Sequence, residues 1–355
     1  MIITVTLNTA LDITYRVPRL TPGTAHRVTE TTERPGGTGV TVARLLAALG
    51  HSTVVTGFAG GPTGGVLRRL LAEQSGAARD ARERHGAARD EPERHGARDG
   101  APQRSSTPAT PGAPGTPGAP GRGRIEDALT PVSGATRRTI GVADTSTGDI
   151  TRVTEAGPVV TRAEWDTFHK TFTGLLPGAD AVALCGSLPP GLPVGSYATL
   201  VRAAQAAGVP VLLGTHGEPL RRGIAARPDL VATTAGELTG LTGFAEPVRA
   251  AHEARRRGAR AVAASLGGEG VLVATADGGW RAAPPRPAGG DPTRACEGAV
   301  AGLLSALAEG LPWPERLTRA VALSAAAAAA PGPGEFDGTA YTGLLADIEA
   351  TERPL

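Results

Sequence analysis

The chain opens with strand-like and helix-like segments in alternation. The β-branched runs IITVTLN (2–8) and STVVTGFAG (52–60) predict strands. After each of them, VTVARLLAALG (40–50) and GGVLRRLLAEQ (64–74) have the apolar spacing of helices, and Gly50 is a helix-ending signal. Strands that alternate with helices predict a mostly parallel sheet covered by helices. This pattern constrains the fold more than any other feature and predicts an α/β protein.

After residue 136 the chain returns to the same kinds of segment. TRRTIGVADTSTGDITRVTE (136–155) has two alternating runs around the turn TSTGD, which predicts a β-hairpin. Residues 179–191 predict a buried strand, 196–217 a helix followed by a strand, and 229–243 a strand followed by a helix. Residues 259–280 predict a pair of strands, and 289 to about 330 a long Ala-rich pair of helices. A chain of this length and apolar content suits one large domain or two small ones.

Residues 76–124 have a different composition from the rest of the chain. They contain almost no large apolar side chains, RERHGAARDE (82–91) is nearly repeated as PERHGARDG (92–100), and TPGAPG occurs twice in 110–121. Such a segment cannot bury enough apolar surface to offset the entropy lost on ordering. It predicts a low-complexity insertion without fixed structure, with a docking tail as the functional alternative.

The bulk properties exclude several classes of partner. The net charge of +2 does not favour nucleic acid, and the two cysteines, Cys185 and Cys296, do not suggest a disulfide framework. The start MIITVTLNTALD lacks the features of a signal peptide, and SAAAAAA (324–330) is too short to span a membrane. We expect a cytoplasmic protein without nucleic-acid or membrane partners.

Six motifs occur in a characteristic order. They are TVTLNTALD (4–12), RPGGTGVTVARLLAALG (34–50), TGFAGGPTGGVLRRLL (56–71), CGSLPPGLP (185–193), GELTGLTG (236–243) and ASLGGEGVLV (264–273). In this order they resemble the ribokinase-like (PfkB) carbohydrate kinases, and in particular the bacterial 1-phosphofructokinase and tagatose-6-phosphate kinase branch. The similarity covers about residues 1–75 and 130–345.

The resemblance implies a fold, a reaction and an assembly. The fold is a single domain over residues 1–355 of the three-layer ribokinase-like kind. It has a mostly parallel central sheet, helices on both faces and a small β lid from about 10–35 and 137–155. The reaction is ATP-dependent phosphoryl transfer to a hydroxyl of a sugar phosphate, with ATP and Mg²⁺ as cofactors. A homodimer through the lid is expected as well, because exposed strand edges are better paired than left open.

The resemblance also assigns binding residues. The substrate-binding residues are Asp12, Gly36, Gly37, Gly39, Thr41 and Arg137, and the nucleotide-binding residues are Ser265, Gly267 and Gly270. Glycines let backbone N–H groups approach a ligand closely, and a carboxylate can accept hydrogen bonds from two sugar hydroxyls. A turn acid, a plain loop and a solvated arginine are the respective alternatives for Asp12, the GGTG loop and Arg137.

Glu237 is expected to organise Mg²⁺ through water. Mg²⁺ prefers oxygen ligands and keeps several waters, so one carboxylate can suffice. The alternative role for Glu237 is that of a cap at the start of a helix.

GGDPTRACEGAVAGLL (289–304) corresponds to the stretch that carries the catalytic aspartate in this family. An ungapped register on VAGLL sets Glu297 at the catalytic position, just before the apolar helix, and puts Arg294 and Cys296 in place of two anion-hole glycines. Glu297 and Arg294 are the predicted catalytic residues, because a guanidinium can bind a phosphoryl group in a bidentate way. A six-residue slip that makes Asp291 the base is the alternative.

Several positions depart from the family pattern. Thr38 and Ala232 stand where lysines are expected; the other departures are Thr41, Thr139, Gly214, His216 and Thr234. Because the two lysines are not replaced by arginine, positive charge is lost. Three hypotheses stay open: a weak or retargeted sugar-phosphate kinase, a non-catalytic descendant that binds a sugar phosphate or a protein partner, and an unrelated activity on the same scaffold.

Overall fold

The structure, a computed structural model, describes residues 1–87, 123–287 and 289–353. The strands are β1 (Ile2–Thr6), β2 (Ala10–Val17), β3 (Glu30–Gly36), β4 (Thr53–Ala59), β5 (Ile125–Pro131), β6 (Arg137–Asp144), β7 (Ile150–Thr154), β8 (Ala181–Cys185), β9 (Val211–Gly214), β10 (Leu230–Thr234), β11 (Ala261–Ser265), β12 (Val271–Ala274), β13 (Gly279–Ala282) and β14 (Thr351–Arg353). The helices are α1 (Thr38–Ala48), α2 (Gly61–Ala87), α3 (Arg162–Leu175), α4 (Ser196–Ala206), α5 (Gly217–Ile224), α6 (Ala235–Thr242), α7 (Pro247–Arg256), α8 (Pro292–Ala308), α9 (Trp313–Ala329) and α10 (Gly338–Asp347).

A 10-stranded central sheet has the order β14-β13-β12-β11-β10-β9-β8-β1-β4-β5. The neighbours from β5 to β11 pair in parallel, and β12, β13 and β14 extend the sheet with antiparallel pairs. Parallel strands place their carboxyl ends at one edge, where α/β proteins bind ligands. The expected mostly parallel sheet is confirmed.

Both faces of the central sheet are buried under helices. Along β1, Ile3 and Val5 pack towards α3 to α7, whereas Ile2 packs towards α1, α8 and α9. Successive side chains of a strand point to opposite faces, so a strand covered on both sides is apolar along its whole length. The predicted three-layer arrangement is confirmed.

A second sheet of four strands has the order β3-β2-β6-β7. Strand β2 pairs with β3 antiparallel and with β6 in parallel, and β6 pairs with β7 as a hairpin. Both segments predicted for the lid, 10–35 and 137–155, thus contribute strands to this sheet, which we call the lid sheet. That it covers a bound substrate stays a prediction.

Three features differ from the sequence prediction. The segment 259–280 forms three strands rather than two. Strand β5 was not predicted, because its run IEDALTP alternates weakly, with the adjacent acids Glu126 and Asp127 both exposed. It pairs with β4 along one edge of the sheet. Helix α2 continues to Ala87, into the segment 76–124 predicted to lack fixed structure. The remainder of that prediction, over 88–122, lies outside the described residues.

Within the described ranges, no helix is both long enough and apolar enough to cross a membrane.

Candidate active site

Among the described residues, two cavities lie at the carboxyl ends of central strands and a third lies beside the lid sheet. The strand-end cavity, about 460 Å³, is lined by Thr6, Gly214, Ala232 and other strand-end residues together with one side of α8. The glycine-loop cavity, about 880 Å³, is lined by the loop 266–269, the start of α7 and the start of α8. The lid cavity, about 340 Å³, lies between the lid sheet, the start of α8 and the loop after α9.

The cavities share walls. Thr234, Ser265 and Cys296 line both the strand-end cavity and the glycine-loop cavity. Asp291 lines both the glycine-loop cavity and the lid cavity. A ligand in the large glycine-loop cavity would therefore have one end beside each of the other two. This arrangement suits a reaction between two bound molecules.

Asp12 lies on β2 and lines the lid cavity. Burial raises the pKa of its carboxyl group, while a hydrogen bond from Thr139 and the charges of Arg137, Arg152 and Arg44 act in the opposite direction. A Cβ atom at position 36 would overlap the Asp12 carboxylate, so this close approach requires glycine there.

The glycines at the start of α1 bring that helix against β1. Gly37 is the N-cap residue with φ of 100°, a left-handed conformation that favours glycine. A Cβ at Gly39 would lie 2.9 Å from the carbonyl oxygen of Val5 and closer still to Thr6 Oγ1. Packing alone thus accounts for these two glycines, and it places Thr38 in the wall of the strand-end cavity.

Glu297 lies inside α8 rather than just before it, so the predicted helix start is wrong. The helix begins at Pro292, and the Asp291 side chain accepts hydrogen bonds from the N–H groups of Thr293 (2.9 Å) and Arg294 (3.5 Å). The physical reason is local: arginine and cysteine in place of glycines favour a continuous helix, and proline suits its first position.

The Glu297 carboxyl group is buried, with 7% of the residue exposed. Burial raises its pKa to about 8, the charges of Asp12 and Asp291 act in the same direction, and a hydrogen bond with Thr41 acts against them. Thr41 is itself buried on α1. Glu297 does not line any of the three cavities. The structure therefore brings Glu297 and Thr41 together behind the cavity walls, close to Asp12, which lines the lid cavity.

Arg294 is held at the start of α8. It donates a hydrogen bond from Nη1 to the carbonyl of Ala330, and its Nε lies 3.5 Å from Asp291 Oδ2. The side chain lines the lid cavity and not the strand-end cavity. Arg152 of β7, which the sequence analysis missed, forms an ion pair with the same Asp291 carboxylate. Its place in the predicted lid hairpin was the available signal.

Arg137, at the start of β6, lines the strand-end cavity. Its Nε donates to the carbonyl oxygen of Asn8 at 3.2 Å and its Nη1 to that of Glu155 at 3.5 Å. Burial lowers the pKa of its guanidinium, and the charge of Asp12 opposes that effect. The arginine is therefore ordered rather than freely solvated.

Glu237 fits both roles considered for it. Its carboxylate accepts hydrogen bonds from Thr233 Oγ1 (2.8 Å) and the N–H of Thr234 (2.9 Å), and Thr234 Oγ1 accepts from the N–H of Glu237, which makes a capping box at the start of α6. The residue also lines the strand-end cavity. The described residues contain no cluster of three or more acidic, histidine or cysteine side chains suited to a metal. A single carboxylate is the donor set of a water-bridged Mg²⁺.

The three predicted nucleotide-binding residues divide into two groups. Ser265 and Gly267 line the glycine-loop cavity, and Gly267 has φ of 66°. Gly270 is not part of that lining; its φ is 95°, and a Cβ there would overlap the carbonyl oxygen of Ala282. The structural requirement for glycine at 270 is therefore the turn between β11 and β12.

Residues 131–338 match the pfkB family of carbohydrate kinases. The chain belongs to this family. It is 31% identical over 338 residues to a 1-phosphofructokinase of Rhodobacter capsulatus, covering 94% of this chain and 92% of that protein. It is also 31% identical over 314 residues to a 1-phosphofructokinase of Xanthomonas campestris pv. campestris, covering 86% and 83% of the two chains. The kinase resemblance found in the motifs is confirmed.

Solved structures share the same fold. Phosphofructokinase-2 from Escherichia coli in complex with fructose-6-phosphate superposes with a TM-score of 0.77 at 24% identity, over 98% of both chains. A possible 1-phosphofructokinase from Thermotoga maritima gives a TM-score of 0.76 at 23% identity, over 99% of both chains. The protein is an ATP-dependent carbohydrate kinase with a ribokinase-like fold. None of these matches favours the non-catalytic alternative.

Proposed function

We propose that this kinase transfers the γ-phosphoryl group of ATP to a hydroxyl of a hexose phosphate, with fructose 1-phosphate as the favoured acceptor. The observation that carries the proposal is the shared wall of Thr234, Ser265 and Cys296 between the strand-end and glycine-loop cavities. Relatives named 1-phosphofructokinase, similar over most of the chain, support this acceptor.

ATP is assigned to the glycine-loop cavity, the largest of the three. Its volume suits a nucleotide, and Gly267 and Ser265 offer a wall of small residues for a flat base. The triphosphate then extends towards the shared wall. Gly270 supports this loop by its turn rather than by contact.

The sugar phosphate is assigned to the space beside Asp12 and Arg137. The Asp12 carboxylate would accept hydrogen bonds from sugar hydroxyls, and Arg137 would pair with the substrate phosphate. Gly36 lets β3 approach the Asp12 carboxylate on β2, Gly37 and Gly39 let α1 approach β1, and Thr41 holds the Glu297 carboxyl group behind this point.

Mg²⁺ fits Glu237 through water, because the carboxylate lines the cavity yet keeps its two capping hydrogen bonds. The ion, when bound, would neutralise charge on the phosphates. The chain's own part is to hold the Glu237 carboxylate at the start of α6, which the capping box does.

In the reaction, the acceptor hydroxyl oxygen bonds to the γ-phosphorus as the bond from that phosphorus to the ADP oxygen breaks. The hydroxyl proton passes to a base, for which the sequence register proposes Glu297. Because Glu297 lines none of the three cavities, the proton would reach its carboxylate through a water or after a rotation of the side chain. Since burial raises the pKa of Glu297 to about 8, the unprotonated form increases as the pH rises towards that value. We expect kcat to rise over the same range. Arg294 acts as a positioning residue that holds Asp291 at the start of α8.

The direct test is ATP turnover by the purified protein with fructose 1-phosphate, tagatose 6-phosphate and fructose 6-phosphate in parallel. We expect the highest kcat/KM with fructose 1-phosphate. Glu297→Gln removes the base and should lower kcat by roughly 10²-fold or more, while Asp291→Asn costs much less. Loss of activity in Asp291→Asn but not in Glu297→Gln would transfer the role to Asp291.

A rebuilt site gives the counter-test. The triple variant Arg294→Gly, Cys296→Gly, Glu297→Asp restores the glycines and the acid of the family pattern. An inactive wild type beside an active triple variant would refute the proposed activity of this chain.

We also propose a homodimer through the lid sheet and a cytoplasmic location, where ATP is supplied. Strand β7 lies at one edge of the lid sheet, and all of its residues are exposed. Val153 on this strand is 59% exposed. An exposed apolar edge strand is a surface that pairing with a second copy would cover.

A further inference from the structure

The strand-end cavity contains both positions at which the family pattern has lysine. Thr38 and Ala232 line it, and neither side chain carries charge. The chain has a single lysine, Lys170, which lies on α3 and outside this lining. The charged residues in the lining are Arg137, Glu237 and, when protonated, His216. A phosphate group in this cavity thus has few cations to bind.

Arg137, which we assign to the substrate phosphate, already uses part of its hydrogen-bonding capacity within the protein. It donates to two backbone carbonyl oxygens, and the charge of Asp12 lies close enough to affect its pKa. Glu237 repels a phosphate unless a cation lies between them. The cavity therefore needs a further donor with spare hydrogen-bonding capacity.

His216 has that capacity. It is the exposed N-cap residue of α5, and its side chain makes no capping hydrogen bond. Among the residues that the structure describes, its ring has no hydrogen-bond or ion-pair partner. The nearby Glu218 carboxylate is paired with Arg221 (3.3 Å) and Arg222 (3.1 Å), so this acid is already neutralised.

The sheet places His216 in the same cavity lining as Ala232. Strands β9 and β10 are parallel neighbours, with Leu213 opposite Val231. His216 follows the end of β9 by two residues, and Thr234 is the last residue of β10; both line the strand-end cavity, as does Ala232. Thr234 belongs to the wall shared with the glycine-loop cavity. The imidazole is thus at the rim of the cavity, close to where the two proposed substrates meet.

We propose that His216 is a phosphate-binding residue of the strand-end cavity and takes over the role left by the absent lysines. The ring donates an N–H hydrogen bond to a phosphate oxygen, and adds charge when protonated. The phosphate belongs either to ATP or to the sugar phosphate. The inference rests on the proposed function, because that function supplies both phosphate-bearing ligands.

The experiment measures KM for ATP–Mg²⁺ and for fructose 1-phosphate separately in four proteins: wild type, His216→Ala, His216→Arg and His169→Ala. His169 is the matched control, because it lies on α3 and outside the linings of the three cavities. Loss of one charge-assisted hydrogen bond should raise one KM about tenfold in His216→Ala. His216→Arg should restore it, and His169→Ala should match the wild type. The substrate whose KM changes identifies the phosphate that His216 binds.

Unchanged KM values for both substrates in His216→Ala would overturn the inference while leaving the kinase activity intact. So would a failure of His216→Arg to recover, because a fixed cation should replace a phosphate ligand. If the wild type shows no turnover, the proposed function fails. Calorimetric Kd values for ADP–Mg²⁺ and fructose 1-phosphate then test the phosphate-binding role of His216. Equal Kd values in wild type and His216→Ala would refute the role of His216 independently of catalysis.

Discussion

Replacing Glu297 with glutamine should remove a strong pH dependence from the stability of the fold. Only 7% of Glu297 is exposed, and burial, together with Asp12 and Asp291, raises its pKa from the ordinary 4.5 to about 8. Between these two values the unfolded chain has released this proton while the folded chain retains it. The free energy of unfolding of the wild type therefore falls as the pH rises.

The size of the effect follows from proton linkage. One proton held only by the folded state changes the free energy of unfolding by ~1.4 kcal/mol for each pH unit. The contribution is fully present below pH 4.5, and by pH 8 about 5 kcal/mol of it is lost. Glutamine has nearly the same shape and no titrating proton, so Glu297→Gln lacks this slope.

Guanidinium unfolding at pH 5, 6, 7 and 8 measures the difference. The free energy of unfolding of Glu297→Gln relative to wild type should increase by ~1.4 kcal/mol per pH unit across this range. Glu315→Gln is the control, since Glu315 is exposed in the first turn of α9, and its curve should run parallel to the wild type. Parallel curves for wild type and Glu297→Gln would show that Glu297 is not a buried acid that keeps its proton.

Three further predictions test packing, the insertion and assembly. Gly39→Ala should lower the free energy of unfolding by about 1–3 kcal/mol, because the added Cβ would collide with Thr6. Gly240→Ala is the control and should not lower it, because a Cβ there meets nothing within 4 Å. Equal losses in the two variants would contradict the packing argument. Replacing residues 88–122 with a short Gly-Ser linker should leave Tm within about 3 °C, since the composition offers no apolar surface to bury; aggregation would argue against this. Val153→Lys should halve the mass seen by light scattering if the lid sheet forms the dimer, and an unchanged dimer would exclude this edge.

The layered architecture was predictable because it depends on patterns that repeat along the chain. β1, α1, β4 and the first half of α2 all appear where the alternation placed them. The spacing of apolar residues predicts such elements locally. A strand covered on both faces needs a continuous apolar run, and a helix with one buried face needs apolar residues at helical spacing. Strand β5 escaped prediction because its pairing with β4 comes from tertiary contact, and its own sequence alternates weakly.

The start of α8 shows that aligning a motif with a family pattern does not establish which way a side chain faces. Alignment set Glu297 at the catalytic position, but the identity of residues 294 and 296 decides where the helix begins. With arginine and cysteine there, Asp291 becomes the cap and Glu297 turns inwards. A motif fixes the order of residues along the chain, whereas the direction of a side chain depends on the phase of the helix that carries it.

The sequence by itself determined the family, the mostly parallel sheet and the positions that carry polar chemistry, because these depend on local periodicity and residue type. Only the tertiary structure decided which of those groups share a cavity. Asp12, Arg152 and Asp291 come from three separate segments and meet around the lid cavity, and His216 reaches the strand-end cavity because β9 lies beside β10. The burial of Glu297 and the charge of Asp12 beside it likewise exist only in the folded chain, since Asp12 is far from Glu297 in sequence.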